Sequence, residues 1–167
     1  MQKIRFHHAA RRIFTGLCLA FAVTSANADD FIDLQKAAKG QTVYFNAWGG
    51  DAKINSYISW AGQILADRHD ITLVHVKLTD TASAVSRILA EKAAGRENGG
   101  SIDLLWVNGE NFAAMKRAGL LQDRSWVTSL PNWRYTDSKA LPAILSDFAE
   151  PTNGKESPWG RAQLVFS

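Results

Sequence analysis

The chain has 167 residues, 46% of them hydrophobic, which is enough for one small domain with a core of its own. It carries 19 basic and 16 acidic side chains, a net charge of +3, but four of the bases and none of the acids lie in residues 1–28. Residues 29–167 therefore carry 15 bases, 16 acids and a net charge of −1. This balance argues against a basic nucleic-acid-binding domain, and we expect no nucleic-acid partner.

Residues 1–28 follow the pattern of a cleavable secretory signal peptide. A basic stretch is followed by an apolar run over 13–23 and by the cleavage motif Ala-Asn-Ala at 26–28, so we expect a periplasmic protein. An uncleaved anchor is an alternative, but the apolar run is shorter than the ~20 residues that a membrane-spanning helix needs. A lipoprotein is another alternative, but Leu17 precedes Cys18 at the position where a lipoprotein signal has a small residue.

Residues 29–167 contain no cysteine, because Cys18 is the only one in the chain. The mature protein therefore forms no internal disulfide, and it has neither a thiol nucleophile nor a cysteine ligand for a metal. We expect a hydrophobic core, rather than covalent links, to hold it together.

Residues 31–121 alternate between helical and strand-like patterns. Apolar residues at i, i+3 and i+4 predict helices over 31–39, from Asp51 to Leu65, from Thr81 to Gly95 and from Gly109 to Gly119. β-Branched and aromatic residues predict strands over 42–47, 71–78 and 102–107. This alternation predicts an α/β fold, with a doubly wound, mostly parallel sheet and flanking helices.

The pattern is weaker beyond residue 121. Residues 126–133 are predicted as a loop, 138–148 as a short helix and 162–166 as a strand. Because a domain seldom ends inside a buried strand with no closing element, we interpret the sequence as unfinished.

Three short segments are candidates for a ligand-binding site. In an open parallel sheet, ligands bind beyond the carboxyl ends of the strands. This rule selects residues 48–51, 79–81 and 106–111, which follow the three predicted strands. Each segment also precedes a predicted helix, whose free N–H groups could hold an anionic group.

Aromatic and small residues give these segments two possible roles. Trp48 and Trp106 could form a wall that stacks on a flat or cationic ligand, or they could simply pack in the core. Gly49 and Gly50 allow either a tight turn or a close approach of backbone to ligand.

The polar residues of the same segments are also open to two interpretations. Asp51 is either the N-cap of the following helix or a counter-ion for a cationic ligand. Asn108 and Asn111 could hydrogen-bond a ligand, or serve a turn and a cap.

Motifs of catalysis and metal binding are lacking in the mature sequence. His69 and His75 have no neighbouring metal ligand at the usual spacing, and no nucleophile elbow, Walker A loop or dinucleotide fingerprint is present. We therefore predict no cofactor, no metal and no enzymatic activity. A small periplasmic hydrolase or transferase on an α/β sheet is the alternative, although no nucleophile–base pair can be nominated.

Three stretches of the sequence carry a resemblance to a known family. They are residues 43–61, which open with Val-Tyr-Phe-Asn-Ala-Trp-Gly-Gly-Asp, residues 102–112, and residues 157–166 with Ser-Pro-Trp-Gly-Arg. In these stretches the chain resembles the YnjB-type solute-binding proteins of ABC transporters.

The resemblance implies that residues 29–167 are the first lobe of a type II periplasmic-binding-protein fold, ending at the crossover between lobes, and that the second lobe is absent. Proteins of this kind capture a small-molecule solute in a cleft between their two lobes. The resemblance also implies a monomer that delivers the solute to an inner-membrane ABC permease. A truncated fragment without activity is the alternative. With Trp159 added by the resemblance, the predicted ligand-binding residues are Trp48, Gly49, Gly50, Asp51, Trp106, Asn108 and Trp159.

Overall fold

A computed structural model describes residues 26–96, 98–122 and 125–160. The strand predicted at 162–166 lies outside these residues, as does most of the predicted signal peptide. Within them, no helix has both the length and the apolar character that crossing a lipid bilayer requires.

Strands and helices alternate in the order that the sequence predicts. The strands of the main sheet are β1 (Thr42–Trp48), β2 (Thr72–Leu78) and β3 (Leu104–Leu105). The α-helices are α1 (Ala26–Ala37), α2 (Ala52–His69), α3 (Thr81–Ala93), α4 (Gly109–Arg117) and the single turn α5 (Trp126–Ser129).

The three strands form a parallel sheet in the order β2-β1-β3. β1 and β2 pair along their whole length, and Phe45 lies opposite His75. The prediction of an α/β fold with a parallel sheet and flanking helices is therefore confirmed. Because the strands are parallel, their carboxyl ends meet at one edge of the sheet.

The third strand is shorter than predicted because a side chain interrupts its ladder. The Asp103 carboxylate accepts a hydrogen bond from the Tyr44 backbone N–H at 2.8 Å, so part of the pairing with β1 runs through a side chain. The backbone N–H of Trp106 still donates to the Asn46 carbonyl at 2.8 Å. Trp106 is thereby held at the carboxyl end of the sheet.

Aspartates begin the two helices that follow β1 and β2. The Asp51 carboxylate accepts from the backbone N–H groups of Lys53 and Ile54, at 2.7 and 2.9 Å, and so caps α2. The Asp80 carboxylate accepts from the Ala82 N–H at 3.0 Å and caps α3. These caps place the first turn of each helix directly beside the end of the preceding strand.

The core consists of apolar side chains from the sheet and the helices beside it. Phe112 of α4 is fully buried. The buried apolar residues are Ala47, Ile58, Leu78, Ala84, Val85, Phe112, Ala113, Met115 and Val127. Asn46 is the polar exception on β1: it is fully buried, and its side-chain oxygen has no hydrogen-bond partner.

The prediction of a helix over residues 138–148 is wrong. The chain forms a 3-10 turn over Pro142–Leu145, followed by an antiparallel hairpin of β4 (Ser146–Asp147) and β5 (Glu150–Pro151). Phe148 and Ala149 form its turn with φ values of 47° and 63°, which an α-helix cannot contain. The apolar residues of this segment are therefore divided between two short elements.

Two further boundaries differ from the predictions. The first helix covers Ala26–Ala37 rather than 31–39, and it includes the three residues of the predicted cleavage motif. The loop predicted over 126–133 contains α5 and part of a 3-10 helix over Pro131–Tyr135.

Candidate ligand-binding cleft

A cleft of about 440 Å³ lies at the carboxyl ends of the three parallel strands. This is the edge of the sheet at which open α/β folds bind their ligands. The strand ends contribute Trp48, Leu78 and Trp106, and the following loops and helix turns contribute Thr79, Asp80, Thr81, Asn108 and Asn111. The structure thus brings Trp48, Trp106 and Asn108 of the predicted site into one space.

The Trp48 indole forms one wall of the cleft and is 46% exposed. Its position depends on Gly50, because a Cβ atom there would collide with the six-membered ring of the indole. A Cβ atom at Gly49 would lie 2.7 Å from the Cβ of Lys77. Neither glycine lines the cleft, so both serve close packing around β1.

Trp106 forms another part of the wall and belongs to a row of aromatic rings. Its ring centroid lies 4.7 Å from that of Trp159, with an angle of 37° between the rings. Trp159 in turn meets Tyr57 edge-on at 5.6 Å, and Tyr57 lies 5.5 Å from Trp60. Trp159 does not line the cleft itself, but it packs against Trp106 and supports the wall.

The acid that lines the cleft is Asp80 and not Asp51. The Asp51 carboxylate accepts hydrogen bonds from two backbone N–H groups at the start of α2, so Asp51 serves as the N-cap of that helix. Sequence reasoning selected the segment 79–81 but did not nominate Asp80 as a ligand contact. Its position two residues after the end of β2 was the signal that could have found it.

Each of the three helix N-termini beside the cleft already holds a carboxylate of this chain. Asp51 and Asp80 cap α2 and α3, and Asp147 of the hairpin accepts a hydrogen bond from the Gly109 N–H, the first residue of α4. These acids offset the positive ends of the helix dipoles. Among the residues that the structure describes, no lysine or arginine lines the cleft, and this part of the lining carries the carboxylate of Asp80 and the rings of Trp48 and Trp106.

Asn108 lines the cleft at the start of α4. It is the N-cap residue of α4, yet its side chain makes no capping hydrogen bond. Its backbone carbonyl instead accepts from the Asn111 N–H at 3.0 Å. Because an amide both donates and accepts, Asn108 can orient a polar group of a ligand.

In the described ranges 26–96, 98–122 and 125–160, no group of three or more His, Cys, Asp or Glu side chains is placed to hold a metal ion. His75 lies within the sheet, where its Nε2 is 3.4 Å from the Ala47 carbonyl oxygen. No serine or threonine of these ranges has a hydroxyl bonded to a histidine ring.

Comparison with known proteins finds a curated relative that matches most of the chain. Protein YnjB of Escherichia coli (strain K12) is 52% identical over 151 residues, which cover 90% of this chain. The chain spans 38% of the length of that relative. No family model matches the chain, and no solved structure matches it.

These findings correct the family assignment drawn from the sequence. The assignment to a family of ABC-transporter solute-binding proteins is wrong as made, because no family model supports it and the name Protein YnjB states neither a family nor an activity. The chain is similar to Protein YnjB over nine-tenths of its own length.

Proposed function

We propose that this chain forms one wall of a cleft that captures a small, flat, cationic solute without covalent chemistry. The observation that carries the proposal is the meeting of Trp48, Trp106 and Asp80 in one cleft at the carboxyl ends of the strands. Aromatic faces and a carboxylate in the same space are the groups that recognise an organic cation.

The energetics favour a cation that is also flat. A cation over the face of an indole gains about 0.5–2 kcal/mol, depending on how far the site excludes water. Asp80 adds charge complementarity, and the side chain of Asn108 adds a hydrogen bond that fixes orientation. An anion would be repelled by the carboxylate of Asp80. It would also gain little from the nearby helix N-termini, because each of them already holds a carboxylate of this chain.

The biological setting is part of the same proposal. The pattern of a signal peptide in residues 1–28 supports a periplasmic protein. We place the chain there as a monomer that delivers its solute to an inner-membrane ABC permease. The finer architecture, a doubly wound sheet forming the first lobe of a type II periplasmic-binding-protein fold, belongs to the proposal too, and a second lobe would close over the cleft.

Three ligands with one ring and different charges test the proposed solute class. 1-Methylnicotinamide is a flat cation, nicotinamide is its neutral analogue, and nicotinate is an anion of the same ring. We expect the full chain to bind the cation about tenfold more tightly than either analogue, because only the cation gains from both indole and carboxylate. Isothermal titration calorimetry measures this ratio, and nicotinate binding as tightly as the cation would refute the proposal.

Two charge-neutralising variants assign that preference to a single carboxylate. Asp80→Asn keeps an oxygen that can cap α3 but removes the charge in the cleft, so the preference for the cation over nicotinamide is expected to fall about threefold or more. Asp51→Asn is the matched control, because it removes a capping charge that does not line the cleft. Equal losses in the two variants would contradict the role of Asp80.

A further inference from the structure

The turn of the hairpin formed by β4 and β5 contains two residues in an unfavourable backbone conformation. Asp147 lies opposite Glu150, so the turn consists of Phe148 and Ala149 alone. Their φ values of 47° and 63° both lie in the left-handed region. A two-residue turn of this kind is type I′ and favours Asn-Gly, because the Cβ atom of most other residues lies too close to the backbone there. The hairpin thus has Phe and Ala where its backbone favours Asn and Gly.

Packing of the Phe148 ring does not explain this choice. The residue is 68% exposed, so most of its apolar surface stays in water. Burial of an aromatic ring stabilises a fold roughly in proportion to the area that it removes from water. Phe148 therefore combines backbone strain with little burial, and the stability of the fold does not account for it. Strained residues of this kind cluster at ligand-binding and active sites.

Contacts with α4 hold the hairpin in place. The Lys116 ammonium group lies 3.2 Å from a carboxylate oxygen of Glu150 and donates to the Pro151 carbonyl at 2.7 Å. At the other end of the helix, the Asp147 carboxylate accepts a hydrogen bond from the Gly109 N–H. Since both strands of the hairpin are bonded to α4, that helix sets the position of the turn between them.

The Phe148 ring lies at the end of α4 that faces the cleft. Its Cδ2 and Cγ atoms lie 3.5 and 3.7 Å from the position that a Cβ atom at Gly109 would take, so the ring packs over the glycine. Asn108 and Asn111, one residue before Gly109 and two after it, line the cleft, whereas Phe148 lies outside the lining. The ring is therefore beside the rim of the cleft, on the side of Asn108.

We propose that Phe148 is a further ligand contact, which meets an apolar substituent of the solute where that substituent leaves the cleft past Asn108. The inference rests on the proposed function, because the flat cationic part of the solute occupies the cleft. It narrows the solute class to organic cations that carry an aromatic or other apolar group beside the charged ring. Aromatic rings attract one another edge-to-face or offset-stacked, which an exposed phenyl ring at the rim permits.

Two cations with the same charged ring test this contact. 1-Benzylnicotinamide carries an aromatic substituent where 1-methylnicotinamide carries a methyl group. In calorimetric titrations of the full chain, we expect the benzyl compound to bind about threefold or more tightly than the methyl compound. The affinity for the methyl compound tests the proposed function, and the ratio of the two affinities tests the contact with Phe148.

Two variants of the turn assign this ratio to the ring. Phe148→Asn combined with Ala149→Gly gives the turn its favoured residues and removes the ring, so the ratio should fall by about threefold. Ala149→Gly alone relaxes the turn and keeps the ring, and this matched control should retain the ratio. Without solute, both variants should raise the urea midpoint of unfolding, because both remove backbone strain.

The outcomes separate this inference from the proposed function. Equal affinities for the two cations in the unmodified chain, or an unchanged ratio in the double variant, would overturn the contact and leave the proposed function standing. A lower urea midpoint in the double variant would also overturn it, since the ring would then serve the stability of the fold. If neither cation binds, the proposed function and the contact both fail.

Discussion

Replacing Trp48 by alanine is expected to weaken the binding of 1-methylnicotinamide by about tenfold or more. The indole supplies both a cation-binding face and the apolar area of one cleft wall. Since about half of the Trp48 surface is buried, its removal should lower the free energy of unfolding by about 1–2 kcal/mol and leave the chain folded. Calorimetric titration of the variant measures the affinity, and urea unfolding confirms that the fold is intact.

Trp60→Ala is the matched control for this loss, because Trp60 is also half-exposed but does not line the cleft. Gly50→Ala is a second, independent probe, since its methyl group would displace the Trp48 indole without removing it. We expect Gly50→Ala to weaken binding and Trp60→Ala to leave it unchanged. A tenfold loss in Trp60→Ala, or none in Trp48→Ala, would contradict the stacking role.

The second large effect concerns stability. Phe112→Ala is expected to lower the free energy of unfolding by about 3–5 kcal/mol, because it removes a fully buried ring and leaves a cavity. Phe112 lies on α4, the helix that carries Asn108 at its start, so its loss should also loosen this side of the cleft. Urea unfolding followed by circular dichroism measures the change.

Tyr135→Ala is the aromatic control for Phe112, because the side chain of Tyr135 is 72% exposed. It should change the free energy of unfolding by no more than about 0.5 kcal/mol. Equal losses in the two variants would show that the core does not centre on α4.

Much of the fold could be predicted from local sequence. The β-branched and aromatic residues of β1 and β2 set their bounds to within one residue, since both strands pair along their full length. The length of β3 was overestimated, because the Asp103 side chain replaces part of the backbone hydrogen bonding between β3 and β1. The hairpin near Asp147 could not be predicted, since left-handed φ values at Phe148 and Ala149 leave no glycine signature in the sequence.

The site was predictable in position but not in detail. The rule that ligands bind at the carboxyl ends of parallel strands selected Trp48, Trp106 and Asn108, and these three residues line one cleft. Sequence could not distinguish Asp51 from Asp80, because both cap helices and only packing decides which one lines the cleft. The link from Asp147 to Gly109 spans 38 residues and follows from tertiary structure alone.

The most direct test of the proposed solute-binding cleft is to follow the tryptophan indole N–H signals by NMR as 1-methylnicotinamide is added to the full chain. Six tryptophans provide both the probes and their internal controls. The signals of Trp48 and Trp106 should shift with saturable dependence on solute concentration, and that of Trp60 should stay in place. Saturable shifts confined to tryptophans outside the cleft, or no saturable shift of any signal, would contradict the proposal.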